Sequence, residues 1–265
     1  MSTVKNIAYG IPNGKPKEPR IRELVSLLGL EGQEWKLPQH LSGGQRQRVA
    51  IARTLAADPD LIMMDEPLSA LDEPTREQIL WDISTLKEKF SIPILYVTHN
   101  LREAYSLADR VVVVDQGRVI ETGPKNTVLE QPSHYRTAQC IGIKNLFPCR
   151  VIGLDNGELK IALGEKRIVL NPDPRFVSGQ KAYLGVLPPN VRLVGAPDER
   201  PNVLKTVVHS IMERKNIMVV HLKVSPNGPM MVADLRKHVF PRWGLKNGSK
   251  VLVSLAKSDL FLCHE

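Results

Sequence analysis

The order of apolar and polar positions divides the chain into two parts with different periods. Before residue 145, apolar residues recur mainly at helical spacing and are interrupted by two short apolar runs. After residue 145, short strand-like runs alternate with turns rich in Gly, Pro and Asn. The pattern therefore predicts an α/β part followed by an all-β part built as a small barrel.

One predicted helix follows a small polar residue and two glycines, Ser42, Gly43 and Gly44. Serine is a favourable N-cap because its hydroxyl accepts one of the free backbone N–H groups. The glycines allow a second molecule to approach the amides at the positive end of the helix dipole, which is a suitable place for an anion. A capped amphipathic helix without a ligand is the alternative. Its buried face would hold Val49, Ala52, Leu55 and Ala56.

The two short apolar runs end in residues that can carry chemistry. Residues 61–64 lead into Asp65 and Glu66, and residues 94–97 lead into Thr98 and His99. Such runs are typical of strands buried on both faces of a parallel sheet, whose ligands lie beyond the carboxyl ends of the strands. We therefore expect the two acids and the histidine to share one sheet edge. The alternative is that Asp65 and Glu66 are simply polar residues at the end of the first strand, without a role in chemistry.

Further elements follow from the same reading of the chain. Residues 11–20 contain three prolines and are predicted to form a loop. The remaining helices are predicted over residues 20–28, 75–90 and 101–108, and a hairpin joins residues 111–115 to 118–121.

Composition excludes several classes of protein. Apolar residues make up 42% and charged residues 24%, no apolar run reaches membrane-spanning length, and the first residues form no signal peptide. The cysteines, Cys140, Cys149 and Cys263, form no CxxC pair and are predicted to be free thiols. The net charge is +8, but its 36 basic residues are spread along the chain, so we expect no nucleic-acid partner.

The stretch LSGGQ at residues 41–45, followed by QRVAIAR at 47–53, resembles the signature motif of the ATP-binding-cassette (ABC) ATPases. Four further segments follow the order of that family. They resemble the start of its helical subdomain (residues 3–10), the Walker B strand ending in Asp65 and Glu66, the D-loop (68–72) and the switch-histidine loop (98–100). The resemblance covers about residues 1–131 and implies a P-loop ATPase fold with a parallel sheet and a helical subdomain.

The resemblance also implies ATP and Mg²⁺ as cofactors and a role for each residue. Asp65 would hold Mg²⁺, Glu66 would polarise the attacking water as a general base, and His99 would contact the γ-phosphate. A second ATPase subunit would complete the site across a dimer seam. The residues that this chain would present to the partner's nucleotide are Ser42, Gly43, Gly44, Gln45 and Asp72.

Two family elements are missing from the sequence, the phosphate-binding loop (Walker A) and the glutamine loop. Residues 10–16 imitate the former, but only three residues separate Gly10 from Gly14, and Pro16 replaces the required hydroxyl residue. Without the loop's lysine and amides, we expect the chain alone neither to bind ATP tightly nor to hydrolyse it. We also expect apolar sheet edges beside residues 61–64 and 94–97.

The all-β part contains an internal repeat. We predict a linker at residues 132–144 and a domain over 145–265, in which two copies occupy about 145–194 and 202–263. The matching stretches are 145–147 with 202–204, 179–184 with 248–253, and 190–193 with 259–262.

This part resembles the transport-associated OB-like domains of ABC import ATPases. Its second copy is most similar to a molybdate-binding barrel, through residues 202–204 and 256–259. The resemblance implies an oxyanion ligand held by Lys257 and Ser258, since ammonium and hydroxyl donors suit an oxyanion. Related domains occur on sugar, polyamine, iron and sulfate importers.

The expected function is that of the ATP-binding subunit of an importer for molybdate, tungstate or a related oxyanion. The implied partners are a second ATPase subunit, membrane permease subunits docked around residues 3–40 and an external solute-binding protein. The expected location is the cytoplasmic face of the membrane, through the permease. One alternative is a non-catalytic oxyanion-binding or regulatory protein with a vestigial cassette. A second is a cytosolic ABC protein of translation or DNA repair, against which the barrel pair argues.

Overall fold

Two units, Met1–Ala108 and Asp109–Glu265, make up the computed structural model, which describes residues 1–195, 201–224 and 228–265. Each unit is built around its own core of buried aliphatic side chains. The hairpin that follows Ala108 belongs to the second unit. The division into family domains at residues 132–144 stays a prediction.

The first unit combines helices with a two-stranded parallel sheet. Helix α3 begins at the predicted Ser42 cap, and β1 and β2 are joined through α4. The side chains of the core come from all the larger elements, and Ile7, Leu24, Leu55, Ile79 and Ile83 are almost completely buried. The elements are α1 Thr3–Gly10, α2 Lys17–Leu27, a 3₁₀ turn Pro38–His40, α3 Gly43–Ala56, β1 Ile62–Asp65, α4 Glu73–Phe90, β2 Ile94–Val97 and α5 Leu101–Leu107.

Only one face of the β1–β2 sheet is covered by the described residues. Ile62 is buried, and Met64 and Tyr96 pack against the helical core. The opposite face is open, with Met63 70% and Leu95 49% exposed. The predicted burial on both faces is therefore wrong for this chain. An apolar run looks the same whether one or two layers cover it, because periodicity does not report the number of layers.

Helix α2 begins three residues earlier than predicted, at Lys17, so the predicted loop is shorter than residues 11–20. Pro19 lies in the first turn, where backbone N–H groups have no intrahelical acceptor and proline is tolerated. In the same way Pro74 lies in the first turn of α4, which begins at Glu73 rather than at residue 75.

The second unit is mainly β. Its first hairpin pairs β3 with β4 around Gln116 and Gly117, at the predicted place. The elements are β3 Arg110–Asp115, β4 Arg118–Pro124, α6 Lys125–Glu130, α7 Tyr135–Cys140, β5 Asn145–Asp155, β6 Glu158–Leu163, β7 Lys166–Leu170, β8 Lys181–Val186, β9 Val191–Val194, β10 Val203–Arg214, β11 Ile217–Lys223, β12 Met230–Arg236, β13 Lys250–Leu255 and β14 Leu260–Cys263, with 3₁₀ turns Pro188–Asn190, Phe240–Trp243 and Lys257–Asp259.

Strands β5–β14 form two five-stranded antiparallel sheets with the orders β14-β8-β5-β6-β7 and β12-β11-β10-β13-β9. Each sheet takes four strands from one of the two predicted repeat copies and its fifth strand from the other, because β9 and β14 change places. Side chains from both sheets, such as Val151, Leu184, Leu222 and Leu255, form one core. The exchange makes the packing of each copy depend on the other.

Two asparagines at matching repeat positions fasten the exchanged sheets. The buried Asn145 side chain donates to Val232 O at 2.8 Å and accepts from Val232 N at 2.7 Å. Asn202 makes the same pair of bonds to Val169, at 2.7 and 2.8 Å. Because Val232 and Val169 lie on β12 and β7, each copy is tied to the corresponding strand of the other.

In the described part of the chain, no helix has the length and apolar content needed to cross a membrane.

Candidate nucleotide site

The N-terminus of α3 is held by a reciprocal cap. The Ser42 hydroxyl accepts the Gln45 N–H at 3.2 Å, and the Gln45 side chain accepts the Ser42 N–H at 3.0 Å. Ser42 is exposed. The amides of the first helical turn have no intrahelical acceptor, so the helix tip can offer N–H groups to an anion.

Packing within the chain restricts Gly44, whereas Gly43 faces only the movable end of the Leu71 side chain. A Cβ at Gly44 would lie 2.6 Å from the Thr75 methyl carbon, and one at Gly43 would lie 2.9 Å from Leu71 Cδ2. Gly44 is buried, and Gly43 is half-buried. The contact with Thr75 explains why a glycine occupies position 44 even without a bound ligand. The sequence did not indicate this contact. The anion-binding role of the pair stays a prediction.

Glu66 and His99 meet at the joint carboxyl end of β1 and β2. Two donors of His99, the backbone N–H and ring Nδ1, converge on Oε1 of Glu66 at 3.0 and 2.6 Å. Glu66 has a positive φ of 44°, an unfavourable backbone conformation for a residue with a side chain. Its N–H donates to Val97 O at 3.0 Å, which fixes the turn to the neighbouring strand. The His99 side chain is 82% exposed, so its other nitrogen, Nε2, is accessible.

Asp65 is the last residue of β1 and pairs in register with Val97. It is exposed, and its carboxylate is the type of oxygen ligand that Mg²⁺ prefers. Among the described residues, no cluster of three or more acidic, His or Cys side chains could enclose a metal. Asp65 therefore fits a Mg²⁺ ion that takes most of its ligands from phosphate and water, the usual arrangement in ATPases.

Asp72 is the N-cap residue of α4, directly after the predicted D-loop. Interaction with the Thr75 side chain lowers the pKa of its exposed carboxyl group, so Asp72 stays ionised at neutral pH. The loop before it is held by Arg76, whose guanidinium donates to Leu71 O at 2.8 Å and Leu68 O at 3.5 Å.

Glu103, a carboxylate that was not predicted from the sequence, is almost completely buried. Its Oε2 accepts hydrogen bonds from the Tyr96 hydroxyl at 2.9 Å and the Thr98 hydroxyl at 2.7 Å, and its Oε1 lies 3.6 Å from Arg76 Nε. Burial and the adjoining carboxylate raise the pKa of the Tyr96 hydroxyl. Glu103 thus connects the strand end before His99 to the arginine that holds the D-loop. Its spacing of four residues from the apolar Leu107, which places both on one face of α5, was the only indication in the sequence.

The other predicted residues are separate from this group. No hydrogen bond within the described residues joins Ser42 or Gln45 to Asp65, Glu66 or His99. The predicted oxyanion ligands lie in the second unit, in the turn Lys257–Asp259. There the Lys257 ammonium is paired with Glu158, and the Ser258 hydroxyl donates to Asp259 Oδ1 at 3.3 Å.

Comparison with known proteins identifies relatives along almost the whole chain. A family model described as "ABC transporter" matches residues 2–69. An Fe(3+) ions import ATP-binding protein of Rhizobium meliloti (strain 1021) is 32% identical over 273 residues, which cover 97% of this chain and 68% of that protein. The chain belongs to the import ATP-binding proteins of ABC transporters.

Members of this family with different solutes in their names match the chain about equally. A molybdate/tungstate import ATP-binding protein of Pyrococcus horikoshii is 31% identical over 266 residues, covering 98% of this chain and 74% of that protein. A solved structure of the cytoplasmic molybdate-binding protein ModG aligns with a TM-score of 0.42 and 21% identity, over 46% of this chain and 96% of that one. Family membership rests on the two import ATP-binding proteins.

Proposed function

We propose that the chain acts in the energy-coupling subunit of an ABC importer, where ATP hydrolysis is coupled to uptake of a solute. The observation that carries the proposal is the Glu66–His99 pair at the joint end of two parallel strands. A glutamate held beside an accessible histidine at a strand end suits the activation of water next to a phosphate. ATP with Mg²⁺ would supply the phosphoryl group that this water attacks.

The residues of this chain divide between two composite sites in the proposed dimer. Asp65 offers a ligand to Mg²⁺, Glu66 takes the proton of the attacking water, and the exposed Nε2 of His99 faces the terminal phosphate. At the second site, the tip of α3 and Asp72 face the nucleotide carried by the partner. The reciprocal cap holds the tip of α3 and the Glu66–His99 bond holds the strand end, which lowers the entropy cost of binding.

The proposed partners are those of an importer. A second ATPase subunit pairs with this one, and permease subunits hold the pair at the inner face of the membrane. An external binding protein delivers the solute. Because the chain contains no GxxxxGK[ST] stretch, ATP is expected to bind weakly to the chain alone. A nucleotide titration that gave micromolar affinity for the isolated chain would refute this part of the proposal.

For the solute we propose molybdate or tungstate, with sulfate, iron, sugar and polyamine as alternatives. The similarity of the second β copy to a molybdate-binding barrel and the molybdate/tungstate relative support this choice. The pairing of Lys257 with Glu158 argues against a free oxyanion site at Lys257 and Ser258. The solute proposal therefore does not depend on these two residues.

The test is uptake in the source cells after single substitutions. Glu66→Gln removes the general base, and we expect uptake of one solute among molybdate, sulfate, Fe(III), spermidine and a disaccharide to fall by about 100-fold or more. Ser42→Arg, which blocks the helix tip, should abolish uptake of the same solute. The control is Glu88→Gln on the exposed side of α4. Unchanged uptake of all five solutes in the first two variants, at equal protein levels, would overturn the importer proposal.

A further inference from the structure

A cavity of about 1010 Å³ in the second unit is lined by four lysines from four different strands. They are Lys166, Lys205, Lys223 and Lys250, and none of the described residues that line the cavity is Asp or Glu. No side-chain hydrogen bond or ion pair to any described residue is made by these four ammonium groups. By contrast, Lys160, Lys237 and Lys257 in the same unit all have carboxylate partners.

Strand register places three of the lysines on one face of a sheet. Lys250 on β13 and Lys223 on β11 are both paired with Val207 on β10, one on each side. Lys205 is two residues from Val207 on the same strand, and therefore on the same face. From strand spacing and rise, the Cα atoms of Lys223 and Lys250 are about 10 Å apart, and those of Lys205 and Val207 about 7 Å apart.

Three like charges on one sheet face repel one another, and none of the three forms an ion pair with an acidic side chain of the described residues. An anion that bridges them would remove this repulsion and gain charge-assisted hydrogen bonds. Because the ammonium groups are spread over several strands, a ligand with two or more separated anionic groups fits them better than a compact oxyanion does.

The remaining walls of the cavity are largely apolar. Trp243 ends the 3₁₀ turn Phe240–Trp243, and Leu245 lies two residues further along the chain. Val194 and Leu252 are cross-strand neighbours. A volume of this size suits a drug-sized molecule, whereas a single tetrahedral oxyanion would leave most of it filled with water. A half-buried tryptophan beside cationic groups suits a ligand with a planar or apolar body.

We propose that this cavity binds a small organic polyanion, a molecule with at least two phosphate, sulfonate or carboxylate groups on a planar or apolar body. The site is distinct from Lys257 and Ser258, which do not line the cavity. It is also independent of the proposed transport function, because all its residues lie in the second unit.

The experiment is isothermal titration of the full chain with naphthalene-1,5-disulfonate, fructose 1,6-bisphosphate and molybdate. We expect at least one of the two organic polyanions to bind about tenfold or more tightly than molybdate. The double variant Lys205→Gln/Lys250→Gln should weaken that binding by about tenfold or more. The matched control is Lys144→Gln/Lys181→Gln, which removes the same charge outside the cavity and should change affinity less than about twofold.

A second measurement does not depend on the choice of ligand. If the lysines repel one another, K205Q/K250Q should unfold at a higher temperature than the unmodified chain in low salt, and Lys144→Gln, outside the strands and the cavity, should not. The proposal is overturned if neither organic polyanion binds more tightly than molybdate, or if both double variants lose affinity equally. Binding of phosphatidylserine vesicles or duplex DNA that only K205Q/K250Q loses, without binding of either organic polyanion, would also overturn the small-ligand assignment.

Discussion

His99 directs its backbone N–H and its ring Nδ1 to the same carboxylate oxygen of Glu66, at 3.0 and 2.6 Å. A carboxylate oxygen can only accept, so Nδ1 carries the ring proton in this bond and Nε2 of the neutral imidazole is free to accept. The pair thus fixes both the orientation and the tautomer of the histidine. It also leaves the second oxygen of Glu66 available for a water molecule.

The tautomer of His99 can be measured directly. We expect the neutral ring to be in the Nδ1–H form, because the Glu66 contact stabilises that proton. Long-range ¹H–¹⁵N NMR spectra at pH 8 distinguish the two forms. The exposed His238 provides an internal comparison in the same spectrum, and Glu66→Ala, which removes the acceptor, should reduce the Nδ1–H population of His99. An unchanged His99 tautomer in Glu66→Ala would show that the hydrogen bond does not control the ring.

Glu103 is expected to be essential for the stability of the first unit. Glu103→Leu leaves the Tyr96 and Thr98 hydroxyls and Arg76 without their shared acceptor, which should cost about 3 kcal/mol in the free energy of unfolding. Urea denaturation followed by circular dichroism measures the loss. Glu77→Leu on the exposed side of α4 is the control and should change the free energy by less than about 0.5 kcal/mol. Equal losses in the two variants would refute the structural role of Glu103.

Gly44 should tolerate a methyl group only if Thr75 loses one. Gly44→Ala places a Cβ 2.6 Å from Thr75 Cγ2 and is expected to destabilise the chain by about 1–3 kcal/mol. Thr75→Ser removes that carbon, so the double variant should recover the loss and gain up to about 1 kcal/mol from the helix propensity of alanine. Thermal unfolding of both single variants and the double variant forms the test. Additive effects would contradict the contact.

Only one of the three cysteines should react rapidly with a thiol reagent in the native chain. Cys140 is exposed, whereas burial raises the pKa of Cys149 to about 11 and that of Cys263 to about 12. The thiolate is the reactive form, so the two buried thiols stay protonated and unreactive at pH 8. Titration with an aromatic disulfide should count one thiol in buffer and three in guanidinium chloride. Two or more fast thiols in buffer would contradict the burial.

Local features of the fold were predictable from the sequence, and contacts between distant residues were not. The Ser42 cap, the start and end of β2 and the strand-end position of His99 follow from residues adjacent in the chain. Two features could not be predicted in this way: the pairing of Lys257 with Glu158, which are 99 residues apart, and the exchange of β9 and β14 between the sheets. The open face of β1 was missed because its apolar residues do not record what lies beside them.

The packing of Gly44 shows the same limit within the site. A Gly-Gly pair after an N-cap is compatible both with a bound phosphate and with a close internal contact. The Thr75 methyl group makes the internal contact at Gly44, and the anion-binding role stays a prediction. Glu103 was missed because a carboxylate in a helix is usually exposed, and only its three partners explain its burial.

The central proposal is that the tip of α3 acts on a nucleotide held by another subunit, and a mixing experiment tests it most directly. A phosphate-binding segment of the family is fused before residue 1, and two inactive variants of the fusion, Ser42→Arg and Glu66→Gln, are mixed, unfolded together and refolded. Random pairing makes half of the dimers mixed, each with one complete site, so we expect about a quarter of the ATPase activity of the unmodified fusion. A mixture no more active than the separate variants, beside an active unmodified fusion, would contradict action across a subunit interface.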